Sequence, residues 1–99
     1  MPLEEHIREG LKWGFKKRFK ERRGRLEIIA DILLVAKKGE KKTAIAYKAN
    51  LNFNRVENYL SYLEEKGLIE HMADGEYKTT GKGEEFLRDY RKMKELLIT

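Results

Sequence analysis

Thr43-Ala44-Ile45-Ala46-Tyr47-Lys48-Ala49-Asn50-Leu51-Asn52-Phe53-Asn54-Arg55-Val56-Glu57-Asn58-Tyr59-Leu60-Ser61-Tyr62-Leu63-Glu64-Glu65-Lys66-Gly67-Leu68 decides how this 99-residue chain is read. Val56, Leu60 and Leu63 recur at i, i+4 and i+7, which predicts a helix over 53–66 with one buried stripe and a stop at Gly67. A shorter helix begins at Thr43 and points Ile45 inward. Between them, Asn50 suits a left-handed backbone and Asn52 is placed to cap the second helix by accepting from its first free amides, while Leu51 plugs the core. All four asparagines of the chain, Asn50, Asn52, Asn54 and Asn58, fall in this stretch, and the chain has no glutamine. Backbone geometry accounts for the first two. Asn54 and Asn58 stand in a helix, which asparagine does not favour.

Upstream, Leu26, Ile29, Leu33 and Ala36 mark one face of a helix over Arg25 to Lys38, and Ile28, Ile32 and Val35 broaden it into the central core helix. Gly39 is placed for its left-handed cap. Before Gly24, Leu3, Ile7, Leu11, Phe15 and Phe19 recur every four residues, beside a basic stripe of Arg8, Lys12, Lys16 and Lys20. Residues 1–24 therefore read as an amphipathic basic helical extension, weakened by about 1 kcal/mol at each of Gly10 and Gly14. Its apolar stripe can pack on the domain or on a second subunit, its basic stripe can follow DNA phosphates, and such a helix can also lie on a membrane surface. Trp13 points away from the stripe as an interface anchor or a half-covered side chain.

Downstream, Leu68 to Met72 and Tyr77 to Thr79 flank Ala73-Asp74-Gly75-Glu76, a hairpin turn signal, so a two-stranded wing is expected. Thr80 can cap a carboxy-terminal helix over 83–97, in which Phe86, Tyr90, Met93 and Leu97 form a stripe that must be buried on something. The chain thus divides into the extension, 1–24, and one domain, 25–99. It is mainly α with a small β-hairpin, in the layout of a winged helix-turn-helix.

Composition narrows the function. A charged fraction of 39% and a net charge of +5 fit a polyanion binder or a thermophile-style surface of mixed charges. Residues 1–24 carry eight Lys or Arg against four acids, so most of the net charge lies in the extension. Without cysteine, and with His6 and His71 alone, no metal motif is present, and no cofactor or small-molecule ligand is expected. No nucleophile sits beside a base and no glycine-rich phosphate loop follows a strand, so a non-enzyme is expected. The acidic amino terminus is no secretory signal, and Ile32 to Ala36, the longest apolar run, is far short of a membrane span. A soluble, cytoplasmic protein is the expectation.

Thr43, Tyr47-Lys48-Ala49-Asn50-Leu51-Asn52, Tyr59-Leu60, Leu63, Lys66-Gly67-Leu68-Ile69, Tyr77, Thr79, Gly81-Lys82-Gly83 and Phe86-Leu87 carry a resemblance. Over about residues 25–90 the chain resembles the archaeal winged helix-turn-helix regulators related to the small archaeal DNA-binding proteins that dimerise through a carboxy-terminal coiled coil. The resemblance implies a homodimer that binds double-stranded DNA with helix 53–66 in the major groove. The extension before Gly24 departs from that pattern, and it is a candidate to replace or reinforce the usual dimer contact.

On that geometry Asn54, Arg55 and Asn58 are candidates to touch bases or phosphates, since asparagine pairs bidentately with adenine. Tyr59 either joins them or closes the edge of the core, and Tyr62 either meets phosphate through its hydroxyl or lies at the rim. Lys41, Lys42, Lys48 and Lys78 are candidate phosphate clamps, with Lys16, Lys17, Arg18, Lys20, Arg22, Arg23 and Arg25 as a basic flank; each alone can equally be a solvated surface charge. Asp74 and Glu76 at the wing tip argue against its entry into the minor groove. The expected function is transcriptional regulation at a pseudo-palindromic site. The alternatives are a winged-helix scaffold for a protein partner and a chromatin-like binder with little sequence preference.

Overall fold

The structure, a computed structural model, describes residues 23–98; the helix expected over the extension lies outside them, apart from its last residue, Arg23, which is not helical. Helix α1 spans Arg25–Val35 and tightens into a 3₁₀ turn at Ala36–Lys38. Strand β1 (Glu40–Lys41) leads into α2 (Lys42–Lys48) and α3 (Phe53–Glu65). Strands β2 (Ile69–His71) and β3 (Glu76–Thr79) precede the last helix, α4 (Gly81–Ile98).

The expected hairpin is present, but the sheet has a third strand. All pairs are antiparallel in the order β1-β3-β2, with Ile69 opposite Thr79 and Glu40 opposite Tyr77. At two residues, β1 is too short to carry a period of its own, and its pairing with β3 is what makes it a strand. Several other boundaries differ. Helix α2 starts at Lys42 rather than Thr43, α4 starts two residues before position 83, and the α-geometry of α1 ends at Val35 rather than Lys38. Gly39 has a positive φ of 97° but a ψ of 127°, so it turns the chain into β1 in a conformation outside the left-handed helical region expected for it.

One core joins the elements. Ile28, Ile29, Ile32 and Leu33 of α1 meet Ile45 of α2, Val56, Leu60 and Leu63 of α3, and Ile69 and Tyr77 of the sheet. Each such aliphatic side chain contributes roughly 1.5–3 kcal/mol by leaving water. Leu26, expected on this face, is 54% exposed at the first turn of α1. Thr79 is the buried polar side chain among the described residues, and its Oγ1 donates to the Leu33 carbonyl at 2.5 Å, which ties β3 to α1.

Both interhelical stops follow one device. Asn50, at φ 55°, ends α2: its own N–H reaches the Tyr47 carbonyl at 3.2 Å, and the Leu51 N–H reaches Ala46 at 2.9 Å. Gly67, at φ 75°, repeats the pattern after α3, with Leu68 N–H donating to Leu63 at 2.9 Å. At the next corner Thr80 Oγ1 accepts from Gly83 N–H at 3.1 Å and donates to the Gly67 carbonyl at 2.7 Å. The start of α4 is thereby pressed on Leu68. A Cβ at Gly83 would lie 2.2 Å from the Leu68 carbonyl oxygen, so only glycine fits there.

Candidate nucleic-acid interface

Helix α3 is presented by the turn before it. Asn52 Oδ1 accepts from the Arg55 N–H at 2.8 Å, so this asparagine is consumed by capping and Asn50 by the turn. With Val56, Leu60 and Leu63 buried, the helix exposes Asn54, Arg55, Glu57, Asn58 and Ser61. Two amides on one outward stripe are suited to reading base edges, and Glu57 stands between them.

Tyr59 and Tyr62 are half-buried and pack against the core. Tyr62 is also flanked by two cations: the Arg25 guanidinium lies 4.7 Å from its ring centroid and Lys66 Nζ lies 5.7 Å away. This flank of α3 is aromatic and basic, in contrast to the polar outward face. It adjoins the point at which the extension enters the domain.

The lysines differ among themselves. Lys41 and Lys78 are exposed, and Lys78 faces Glu70 across the β2–β3 pairing. Lys48 Nζ lies 2.6 Å from Glu40. Lys42 Nζ lies 3.3 Å from Glu57 and 5.4 Å from the Phe53 ring centroid. Arg23 is the most enclosed of the basic candidates within the described residues. Its side chain is 14% exposed, pairs with Asp31 at 2.6 Å and donates to the Asn50 carbonyl at 3.0 Å. Lys16, Lys17, Arg18, Lys20 and Arg22 lie outside the described residues.

At the wing tip, Gly75 N–H donates to the Met72 carbonyl at 3.0 Å and Asp74 Oδ1 accepts from the Glu76 N–H at 2.9 Å. Asp74 therefore shapes the turn. Glu76 Oε1 packs against Gly39, which draws that carboxylate back toward β1.

Tyr47 was given no role in the sequence. It is 88% exposed on α2, two residues from the buried Ile45 and therefore on the opposite side of the helix. That offset from Ile45 is the signal by which it could have been found. Among the described residues no group of three or more His, Asp or Glu side chains is arranged to hold a metal ion, and no helix is long and apolar enough to cross a membrane.

Comparison with known proteins agrees with this geometry. Residues 22–97 match the family described as winged helix-turn-helix. An uncharacterized protein of Methanocaldococcus jannaschii is 38% identical over 77 residues, which is 77% of this chain and 36% of that protein. The chain thus spans about a third of the length of that relative. Among solved structures, Sso10a-2, a DNA-binding protein from Sulfolobus solfataricus, superposes with a TM-score of 0.63 at 29% identity, covering 77% of this chain and 86% of the other.

Proposed function

The chain belongs to the winged helix-turn-helix family, and on that premise we propose that it is a double-stranded DNA-binding protein, a homodimeric transcriptional regulator that places α3 in the major groove. The observation that carries this reading is the division among the asparagines. Asn50 and Asn52 are used by the backbone, whereas Asn54 and Asn58 are held outward on a helix whose other face is fixed in the core. The likeness to Sso10a-2, itself a DNA-binding protein, supports it.

In this reading Asn54, Arg55 and Asn58 meet base edges or adjacent phosphates. Tyr47 and Lys41 meet the backbone on the α2 side, and Arg25 and Tyr62 on the other. Lys78 approaches the backbone from the wing. Lys16, Lys17, Lys20 and Arg22 supply sequence-independent attraction, and Arg23 supports the turn rather than a phosphate. The exposed Met93, Leu96 and Leu97 of α4 give a second copy an apolar strip to cover, which supports the dimer.

A second reading has its own observation. Lys42 and Lys48 are both paired with acids, and α3 carries Glu57, Glu64 and Glu65, which suits a scaffold for a protein partner better than a nonspecific DNA binder. Titration of the full chain with duplex DNA at several salt concentrations separates the two. Affinity that falls steeply with salt is expected; absence of binding at low salt, or indifference to salt, would sink the DNA reading.

A further inference from the structure

Glu57 is the acid of the first half of α3, and it lies three residues after Asn54 and one before Asn58 on the exposed side of the helix. The other acids of α3, Glu64 and Glu65, fall in its last turn. On a face turned toward DNA, a carboxylate is repelled by the phosphates that border the major groove, and it lowers affinity unless compensating contacts are made. The protein supplies one of these itself. Lys42 Nζ lies 3.3 Å from Glu57 Oε1, and the same ammonium lies 5.4 Å from the centroid of the Phe53 ring at the start of α3. The cation is held from two sides and in turn holds the carboxylate. The Glu57 side chain remains 46% exposed, and its Oε2 has no hydrogen-bond partner among the described residues.

We propose that Glu57 is a specificity-determining residue whose free carboxylate oxygen accepts from the N4 amino group of a cytosine, with Lys42 as the positioning residue that holds it. This rests on the reading that places α3 in the major groove. The base edges decide which partner a carboxylate can take. Guanine presents the acceptors N7 and O6, and thymine the acceptor O4 beside a methyl group, so neither donates. Adenine has the N6 donor but sets the N7 acceptor next to it. Cytosine offers its N4 donor with no acceptor on its own edge. The half-site then combines a cytosine with the adenines that suit Asn54 and Asn58. Paired with Lys42, Glu57 brings no net charge to the phosphates, so the pair contributes discrimination rather than attraction.

Glu57→Gln and Glu57→Ala both free Lys42, and an ion pair with no further role would give the two substitutions the same effect on binding. Base reading separates them. Sites selected from random duplexes by the natural full-length chain are expected to carry cytosine at one position of the half-site. Glu57→Gln is expected to select adenine there, because glutamine pairs with adenine N6 and N7, and Glu57→Ala no base. In anisotropy titrations with duplexes that differ only at that base pair, the natural chain is expected to prefer cytosine over adenine by at least about fivefold, and Glu57→Gln to reverse the order. Lys42→Met is expected to weaken the cytosine preference and leave the other positions unchanged; an unchanged preference would overturn its positioning part. Thermal melts of these exposed-site variants establish that each is folded at the titration temperature.

A cytosine preference that persists in Glu57→Ala, or one and the same preference in both Glu57 variants, would overturn the assignment. So would natural sites with no preferred cytosine. In each of these cases the asparagines would still read DNA from α3. Binding with no sequence preference, or no binding, would instead overturn the assignment together with the placement of α3 in the major groove.

Discussion

Lys42 Nζ lies 3.3 Å from Glu57 Oε1, which ties the first turn of α2 to the outward face of α3 across 15 positions of sequence. The pair is partly exposed and contributes at most about 1 kcal/mol to stability. Its larger effect is on the surface potential, because it holds an acid on the α3 face that the proposed function turns toward DNA and neutralises a nearby cation. Glu57→Gln is therefore expected to raise duplex affinity and to steepen the salt dependence by about one phosphate contact, with little change in melting temperature. Anisotropy titrations of both proteins across a salt series check this, and an unchanged slope would show that Lys42 does not reach DNA.

The asparagines are expected to separate stability from recognition. Asn52→Ala removes the α3 cap and should cost about 1 kcal/mol of stability while leaving sequence preference intact. Replacing Asn54 and Asn58 with alanine should leave stability nearly unchanged and lower discrimination by about 1–3 kcal/mol for each base pair read bidentately. Thermal melts paired with selection from random duplexes measure both. Retained preference in the double variant would remove α3 as the reading element.

Gly83→Ala tests the close approach of α4 to Leu68. The added methyl would overlap the Leu68 carbonyl oxygen and Thr79 Cγ2, so a loss of about 1–3 kcal/mol is expected. In a domain of this size each kcal/mol lowers the melting temperature by roughly 4–8 °C. Gly81→Ala, with open space around it, serves as the comparison and should not produce that drop.

Burial holds the Tyr90 hydroxyl above its ordinary pKa of 10.0, and the neighbouring carboxylates of Glu27 and Asp31 add to the effect. The unfolded chain then releases this proton at lower pH than the folded one. The tyrosine's contribution is complete below about pH 10 and is lost as pH rises through the folded value. Denaturation midpoints followed above that pH should fall more steeply for the natural protein than for Tyr90→Phe.

Met93 and Leu97 lie on the outer part of the α4 stripe, 51% and 84% exposed. Charge at these positions, as in Met93→Lys with Leu97→Lys, is expected to shift the mass in solution from dimer toward monomer without altering the monomer's helix content. A dimer of unchanged stability would place the subunit contact elsewhere.

Much of this was legible along the chain because it depends on local chemistry. Asn50 and Asn52 specify a left-handed stop and a cap within three residues, and the period of Val56, Leu60 and Leu63 sets which side of α3 is free. What escaped was set by partners distant in sequence. Glu40 and Lys41 become a strand only because Tyr77 and Glu76 lie across from them. Lys42 and Lys48 read as available cations until Glu57 and Glu40 are brought beside them. Leu26 has the right character for the core and the wrong place on its helix. Arg23 reads as one more basic residue of a flank, although its contacts with Asp31 and Asn50 put it into the architecture of the turn.

The two-residue strand β1 has a mechanical meaning. It is continuous with α2 on one side and paired with β3 on the other, so it couples the wing to the helical pair. In the proposed DNA complex, with that coupling intact, adjustment to a curved or narrowed duplex falls on the duplex, and base steps that bend at low energetic cost are expected to be favoured at positions that no side chain touches.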